Sequence, residues 1–321
     1  MTRRKNNTLA GAAACVTLGD WLGFAEKLYA REKLALGQVA ASAHDEALYL
    51  LLRTLGLPLD SPARVLARKL TAAERATVAA MLHRRAADRV PAAYLTHEAW
   101  LGGHRFQVDE RVLIPRSYFV EIIPHQLDGW LPDPAKVRRV ADVGTGSGCL
   151  AIMLARHFPR TKVDAIDLSV EALEVAEINL REHRLGRRVT LHQSDVFDAV
   201  PAVKYDLILS NPPYEPSAHC DALPAEFRRE PRRALDGGKD GLDVIRKLLR
   251  QARTRLAPQG IVLIEVGGLR PVMDREFAAL EPHWLPTEDG TDCVGVIHAR
   301  RLKNWRGGSA AVGQPSGDKR D

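Results

Sequence analysis

From residue 139 onward the chain repeats one pattern, a short apolar run followed by a break and an amphipathic stretch of helical period. Strands are expected over 139–143, 162–166, 189–192, 206–209 and 261–266, with helices over 149–158, 170–183 and 242–256 between them. Strands this short and apolar, spaced by helices, are buried on both faces, as in a parallel sheet covered by helices on either side. A closing pair of runs over 283–286 and 293–299 adds an antiparallel edge hairpin. The expected class is α/β, a Rossmann-like, mostly parallel seven-stranded sheet.

Upstream the period changes. Leu22, Leu28, Leu48, Leu51, Leu52 and Leu55 recur at helical spacing, and Thr71 with Glu74 is a capping-box start for a helix that Pro91 stops. Residues 97–114 alternate around Gly102-Gly103 in the way of a β-hairpin, and a helix is expected over 117–126. The boundaries that follow are a flexible N-terminus over 1–19, a helical domain over 20–96, a hairpin and linker over 97–130, an α/β domain over 131–300 and a disordered tail over 301–321.

The net charge of +6 invites a nucleic-acid partner, but it sits at the ends of the chain. Residues 6–299 carry 37 basic and 38 acidic side chains, which excludes a general phosphate-binding surface over the body and leaves room for local patches alone. Cys15, Cys149, Cys220 and Cys293 form no C-x-x-C pair, so neither a zinc site nor a disulfide framework is expected and a reducing cytoplasm fits. The stretch 9–18 after Arg3-Arg4-Lys5 loosely imitates a signal peptide, but it is short and follows Asn6-Asn7. No run of 18 apolar residues offers a membrane span. The sequence leaves the oligomeric state open.

The chemistry gathers where the strands end. After the first α/β strand come Gly144, Thr145, Gly146, Ser147 and Gly148, glycines at alternate positions that let the backbone turn tightly against a ligand at a helix start. The spacing G-x-G-x-G, not G-x-G-x-x-G, points away from a dinucleotide pyrophosphate and towards S-adenosylmethionine; a glycine turn with only a packing role is the alternative. Asp167 ends the second strand, where a carboxylate can take both ribose hydroxyls or simply cap the next helix. After the third strand, Asp195 can take an adenine amino group while Val196 covers the ring face; an ordinary loop aspartate is the competing reading.

After the fourth strand come Asn211, Pro212, Pro213 and Tyr214. An amide or exocyclic amine nitrogen has a delocalised lone pair and must be held and polarised to act as a nucleophile. The Asn211 side-chain oxygen and the Pro212 carbonyl can each accept one N–H of a planar NH₂ group, and Tyr214 can press the flat group into place. A rigid two-proline turn with no chemistry is the bland alternative.

On these residues the chain resembles the S-adenosylmethionine-dependent glutamine N(5)-methyltransferases of the HemK type, over roughly residues 20 to 300. Asn-Pro-Pro-Tyr alone is shared with DNA adenine and some RNA guanine methyltransferases. The distinguishing companions are the run from Glu230 to Leu242, which resembles E-P-x-x-A-L-x-G-G-x-D-G-L, and Val112-Leu113-Ile114-Pro115-Arg116. Release-factor methyltransferases continue the second motif as Pro-Glu-Thr-Glu, whereas this chain continues Ser117-Tyr118-Phe119-Val120-Glu121 and is more similar to the PrmB branch, which acts on large-subunit ribosomal protein L-three. It departs from that branch at Tyr118-Phe119 and at Arg229.

The resemblance implies a class I methyltransferase fold with an N-terminal helical domain joined by a β-hairpin. It implies S-adenosylmethionine at Gly144–Gly148, Asp167, Asp195, Val196 and Asn211, a glutamine amide held by Asn211, Pro212, Pro213 and Tyr214, and no metal. The expected partner is ribosomal protein L-three, docked by the helical domain, which could instead be a solubilising appendage. Three alternatives stay open: the Gly-Gly-Gln glutamine of a release factor, an amino group of DNA or RNA, and a binding factor with an inactive pocket. No stable nucleic-acid or membrane contact is expected.

Overall fold

The structure is a computed structural model and describes residues 8–305. Four helices come first: α1 (Leu18–Glu32), α2 (Ala43–Thr54), α3 (Ala72–Ala86) and the short α4 (Ala92–Thr96). Thr17 with Asp20 and Thr71 with Glu74 form reciprocal capping boxes at α1 and α3, and Ser42 caps α2. Each such cap contributes about 1 kcal/mol. Leu18, Trp21, Leu22, Ala25, Leu28 and Tyr29 form one buried stripe on α1, packed against Leu50 and Leu51 of α2 and Val78 and Leu82 of α3.

Order begins before residue 20, which corrects the expected flexible segment 1–19. Residues Ala12–Ala14 make a single 3₁₀ turn, Cys15 is buried and Leu18 is fully enclosed, because the capping box needs Thr17 in place. At the far end Leu302 is buried on α11 (Ala299–Asn304), so the expected tail cannot start at 301. Its remainder, 306–321, and residues 1–7 lie outside the described residues.

The strands β1 (Glu98–Leu101) and β2 (His104–Gln107) pair antiparallel through Gly102 and Gly103, both at positive φ as a two-residue hairpin requires. The hairpin is fixed to the α/β layer by Asn179, fully buried, whose side chain exchanges hydrogen bonds with the Gln107 backbone and donates to the Ser147 carbonyl at 2.8 Å. The helix expected over 117–126 is α5 (Phe119–His125), shorter because the Ser117 hydroxyl and the Tyr118 N–H are directed to Glu265.

The sheet then forms from β3 (Arg139–Val143), α6 (Cys149–His157), β4 (Lys162–Asp167), α7 (Val170–Glu182), β5 (Val189–Gln193), β6 (Tyr205–Ser210), α8 (Ser217–Ala222), α9 (Asp243–Arg255), β7 (Leu256–Glu265), α10 (Arg270–Glu276), β8 (His283–Leu285) and β9 (Val294–His298). Its order is β5-β4-β3-β6-β7-β9-β8, parallel from β5 to β7. Both β7–β9 and β9–β8 are antiparallel, so only β8 of the closing pair lies at the edge. β7 starts five residues earlier than expected because a bulge against β6 lets Leu256 pair with Tyr205. One apolar cluster packs each face of the sheet, with Leu207 and Leu263 on one side and Ile208 and Val262 on the other. No helix among the described residues is long and apolar enough to cross a membrane.

Candidate active site

Because β3 to β7 run parallel, their carboxyl ends share one edge, and that edge collects the polar residues. Gly144, Gly146 and Gly148 all have positive φ, at 78°, 54° and 80°. A side chain on Gly148 would press on Ala176 of α7 at 3.2 Å, whereas one on Gly146 would meet no protein atom within 4 Å. The turn is thus packed from behind at Gly148 and open at Gly146. Beneath it Asp142 is fully buried and accepts from the Thr145 hydroxyl at 2.6 Å. Its Oδ1 has no partner among the described residues, and burial pushes its carboxyl up to about 7. Ser147, also buried, offers its carbonyl to Asn179.

Asp167 accepts from the Gly146 N–H at 2.8 Å and, through its other oxygen, from the Ser169 N–H at 2.9 Å. Ser169 is the residue that caps α7, so Asp167 ties glycine turn to helix start and does not cap the helix itself. Burial raises its carboxyl despite these donors. Each oxygen keeps a lone pair for a further donor. The Ser194 N–H bonds the Asp167 carbonyl, bringing the β5 loop alongside. There Val196, buried and β-branched, is held at φ 55°, a strained conformation for such a residue. Asp195 instead points to Lys247 at 2.7 Å and is half exposed, so it is the expected residue least drawn into the cluster.

The Asn211–Tyr214 loop abuts the glycine turn, since a side chain on Gly144 would lie 3.6 Å from the Asn211 carbonyl. Tyr214 is wedged by glycines. A side chain on Gly267 would come within 2.7 Å of its ring, one on Gly241 within 2.2 Å of its carbonyl, and one on Gly237 within 2.6 Å of the Pro213 carbonyl. Glu215 bridges Asp236 in parallel, with its N–H on the Leu235 carbonyl and its carbonyl taking the Gly237 N–H. The second signature segment is therefore a strap laid against the first. Burial pushes the Tyr214 phenol upward, keeping it neutral.

The third segment closes the frame. Arg116 donates to both oxygens of the buried Glu230, at 3.0 and 2.9 Å, and the Ile114 N–H adds a bond at 3.2 Å. The Asn211 Nδ2 donates to the Arg116 carbonyl at 3.4 Å, and the Asn211 amide also lowers the Glu265 carboxyl against the upward push of burial. The bond to Arg116 uses the amide nitrogen, which leaves Oδ1 as the acceptor for a ligand. Arg116, Asn211, Tyr214, Leu223, Phe227 and Leu235 line a cavity of about 160 Å³. A wider cleft of about 560 Å³, lined by Asp133, Lys136, Asp206 and Pro258, lies at the amino ends of the strands, away from this cluster.

Sequence reasoning passed over Glu265, 3% exposed and pushed up to about 7 by burial, and the side-chain partnerships of Glu230 and Asp142. The available signal for Glu265 was positional: a carboxylate ending the apolar run Ile261 to Ile264, as Asp167 ends its own strand.

A family model described as Methyltransferase small domain matches residues 127–238. The chain is 44% identical over 293 residues, 89% of its length and 95% of the other's, to the ribosomal protein uL3 glutamine methyltransferase of Burkholderia pseudomallei. It is 43% identical to the protein of that name from Neisseria gonorrhoeae, with 91% and 97% covered. For the one from Bradyrhizobium diazoefficiens the identity is 41%, with 94% and 100% covered.

Proposed function

The chain belongs to the family of ribosomal protein uL3 glutamine methyltransferases, and from that premise we propose that it transfers a methyl group from S-adenosylmethionine to the side-chain amide nitrogen of a glutamine in ribosomal protein uL3. The observation that carries this reading is the joining of three segments around one cavity: Asn211 to Tyr214, the strap from Glu230 to Gly241, and Ile114 to Arg116.

The residues at the strand ends fit the cofactor. The open face over Gly146 is a cradle a side chain would fill, and Asp167 retains acceptor capacity beside it for the ribose hydroxyls. Val196, strained and buried at the β5 end, supplies an apolar surface for the adenine ring, with Asp195 at its rim. Thr145 and Ser147 hold the turn from below through Asp142 and Asn179. S-adenosylmethionine supplies a methyl group on a positively charged sulfur.

The chain's own contribution is alignment. Asn211 Oδ1 and the Pro212 carbonyl each take one N–H of the glutamine amide, and Tyr214 bounds the flat group. Pro212 has no N–H of its own to compete and a fixed φ, so its carbonyl is preset. Once the nitrogen has gained the methyl it is strongly acidic and loses its proton to water, so no strong base is required. The buried cysteines are unsuited to nucleophilic work, Cys149 and Cys293 being pushed up to about 12 by burial. The reaction suits the cytoplasm, where ribosomal proteins are made.

The test is transfer from labelled S-adenosylmethionine into separated ribosomal proteins and release factors, followed by mass spectrometry. Label on a uL3 glutamine supports the reading. Label only on a release factor would retain the chemistry and overturn the substrate, and label on nucleic acid alone would overturn both.

A further inference from the structure

The wall of the amide cavity is held from outside the sheet. The strap with its Leu235, and the segment leading into it with Leu223 and Phe227, are tied to the helical unit through Gln38, Arg85, Arg89 and Arg229. Arg89 donates to Glu226 Oε1 at 2.9 Å, and the fully buried Arg85 lies 3.8 Å from the same oxygen while pairing with Glu46 at 2.7 Å. Arg229 donates to the Asp88 carbonyl. Gln38, on the loop between α1 and α2, donates through Nε2 to the Glu230 carboxylate. That carboxylate receives Arg116, whose carbonyl in turn receives the Asn211 amide.

We propose that Gln38 is a positioning residue for Asn211: the hydrogen-bonded path from Gln38 through Glu230 and Arg116 makes the helical unit part of the apparatus that shapes the amide cavity. Gln38 is 5% exposed and Glu230 3%, so neither can touch a docked protein, and an effect of Gln38 on turnover cannot come from a lost docking contact. Gln38 is also an expensive choice for a packing residue. Its Oε1 has no hydrogen-bond partner among the described residues, so only its donor is used. The donor completes the set around Glu230, which among the described residues otherwise keeps only Arg116 and the Ile114 N–H. Small displacements of an orienting group are costly in rate, which gives the path its leverage.

The proposal deepens the amide-methylation reading and rests on it for its kinetic readout, so the experiment carries a second one. Gln38→Met keeps the size, removes the donor and also removes the unpaired acceptor, so the fold should survive. Gln38→Glu sets a second carboxylate against Glu230, whereas Gln38→Lys restores a donor. In the full-length protein with purified uL3, Gln38→Met should lower kcat about tenfold with KM for uL3 nearly unchanged. Gln38→Glu should lower it further and Gln38→Lys should recover most of the loss. Independently, the side-chain amide resonance of Asn211, assigned by its disappearance in Asn211→Asp, should move in Gln38→Met. That shift tests the positioning even if uL3 proves not to be the substrate, in which case wild type shows no transfer and the substrate reading alone fails. A loss confined to KM, or wild-type kcat in both Gln38→Met and Gln38→Glu with an unmoved Asn211 resonance, would overturn the proposal.

Discussion

Replacing Glu265 by Gln should make the protein more stable above neutrality while making it slower. Glu265 closes β7 inside the site, and its Oε2 accepts from the Ser117 hydroxyl at 2.5 Å and the Tyr118 N–H at 3.0 Å. Burial lifts its carboxyl from an ordinary 4.5 to about 7, with Ser117, Tyr118, Arg116 and Asn211 only partly opposing this. Tyr214 and Cys293, the other titratable groups facing it, stay neutral in this range. A carboxyl with a raised folded-state pKa binds more protons folded than unfolded. Its ionisation therefore opposes folding above about pH 7, and the opposition is relieved as pH falls towards 4.5. At about 1.4 kcal/mol per pH unit, the cost at pH 8 is about 3 kcal/mol.

Gln has the same outline and can accept both hydrogen bonds through its carbonyl, but it gives up the attraction to Arg116. The expected gain for Glu265→Gln is about 2 kcal/mol at pH 8, shrinking towards zero near pH 5. Asp142, pushed up to about 7 as well, titrates in both proteins and cancels from the difference. Turnover should fall on the order of tenfold, because the carboxylate that anchors Ser117 and Tyr118, next to the Arg116 carbonyl that receives Asn211, becomes a neutral amide. Urea denaturation of both proteins at the two pH values measures the first effect and a methyl-transfer assay the second. A variant no more stable than wild type at pH 8, or a difference that does not shrink on acidification, would refute the account.

Asn211→Ala should lower turnover on the order of a hundredfold, since the lost acceptor works only in the aligned complex; calorimetry should find cofactor affinity changed only a few-fold. Gly241→Ala places a methyl 2.2 Å from the Tyr214 carbonyl at a φ of 82°. It should cost at least about 1–2 kcal/mol of stability and displace the catalytic loop, read as a lower melting temperature together with lost activity. Removing residues 1–96 should abolish transfer to protein and, because Gln38 and Arg89 go with it, transfer to a short glutamine peptide as well. Retained peptide activity after that deletion would mean the helical unit only docks the substrate.

The catalytic layer was legible because its signals are local. An apolar run between turn residues is a buried strand wherever it lies in the chain, and 139–143 was read to the residue. Thr71 with Glu74 announced a cap that the structure contains. Glycines at alternate positions after a strand announced a turn that all three enter at positive φ. What stayed hidden depends on distant partners. Nothing around Gln38 in the sequence indicates a bond to Glu230, 192 positions away, and nothing around Asp195 reveals that Lys247 would claim it. Glu265 could be placed at a strand end, but its burial depends on Ser117 and Tyr118 from another segment. The early start of β7 is not in the apolar run, because it depends on a bulge against Tyr205 that takes 256–260 into the strand.

The companion segments also bear on why an amide, and not a base in nucleic acid, suits this cavity. Asn-Pro-Pro-Tyr supplies two acceptors for any planar NH₂ group and does not by itself distinguish the two. Its neighbours do. Among the described residues the only cation lining the cavity is Arg116, and its Nη1 is committed to both oxygens of a buried carboxylate. The only anion there among the described residues is Glu215, whose backbone is bound into the strap. Leu113, Leu223, Phe227, Ala234 and Leu235 make up most of the rest. A nucleic-acid substrate would bring phosphates that need cations close to the target base, and the cation in this lining, Arg116, is already paired with Glu230 through Nη1. A neutral amide on an aliphatic stem asks for apolar walls and two acceptors at the end, which is what the strap and the catalytic loop together provide.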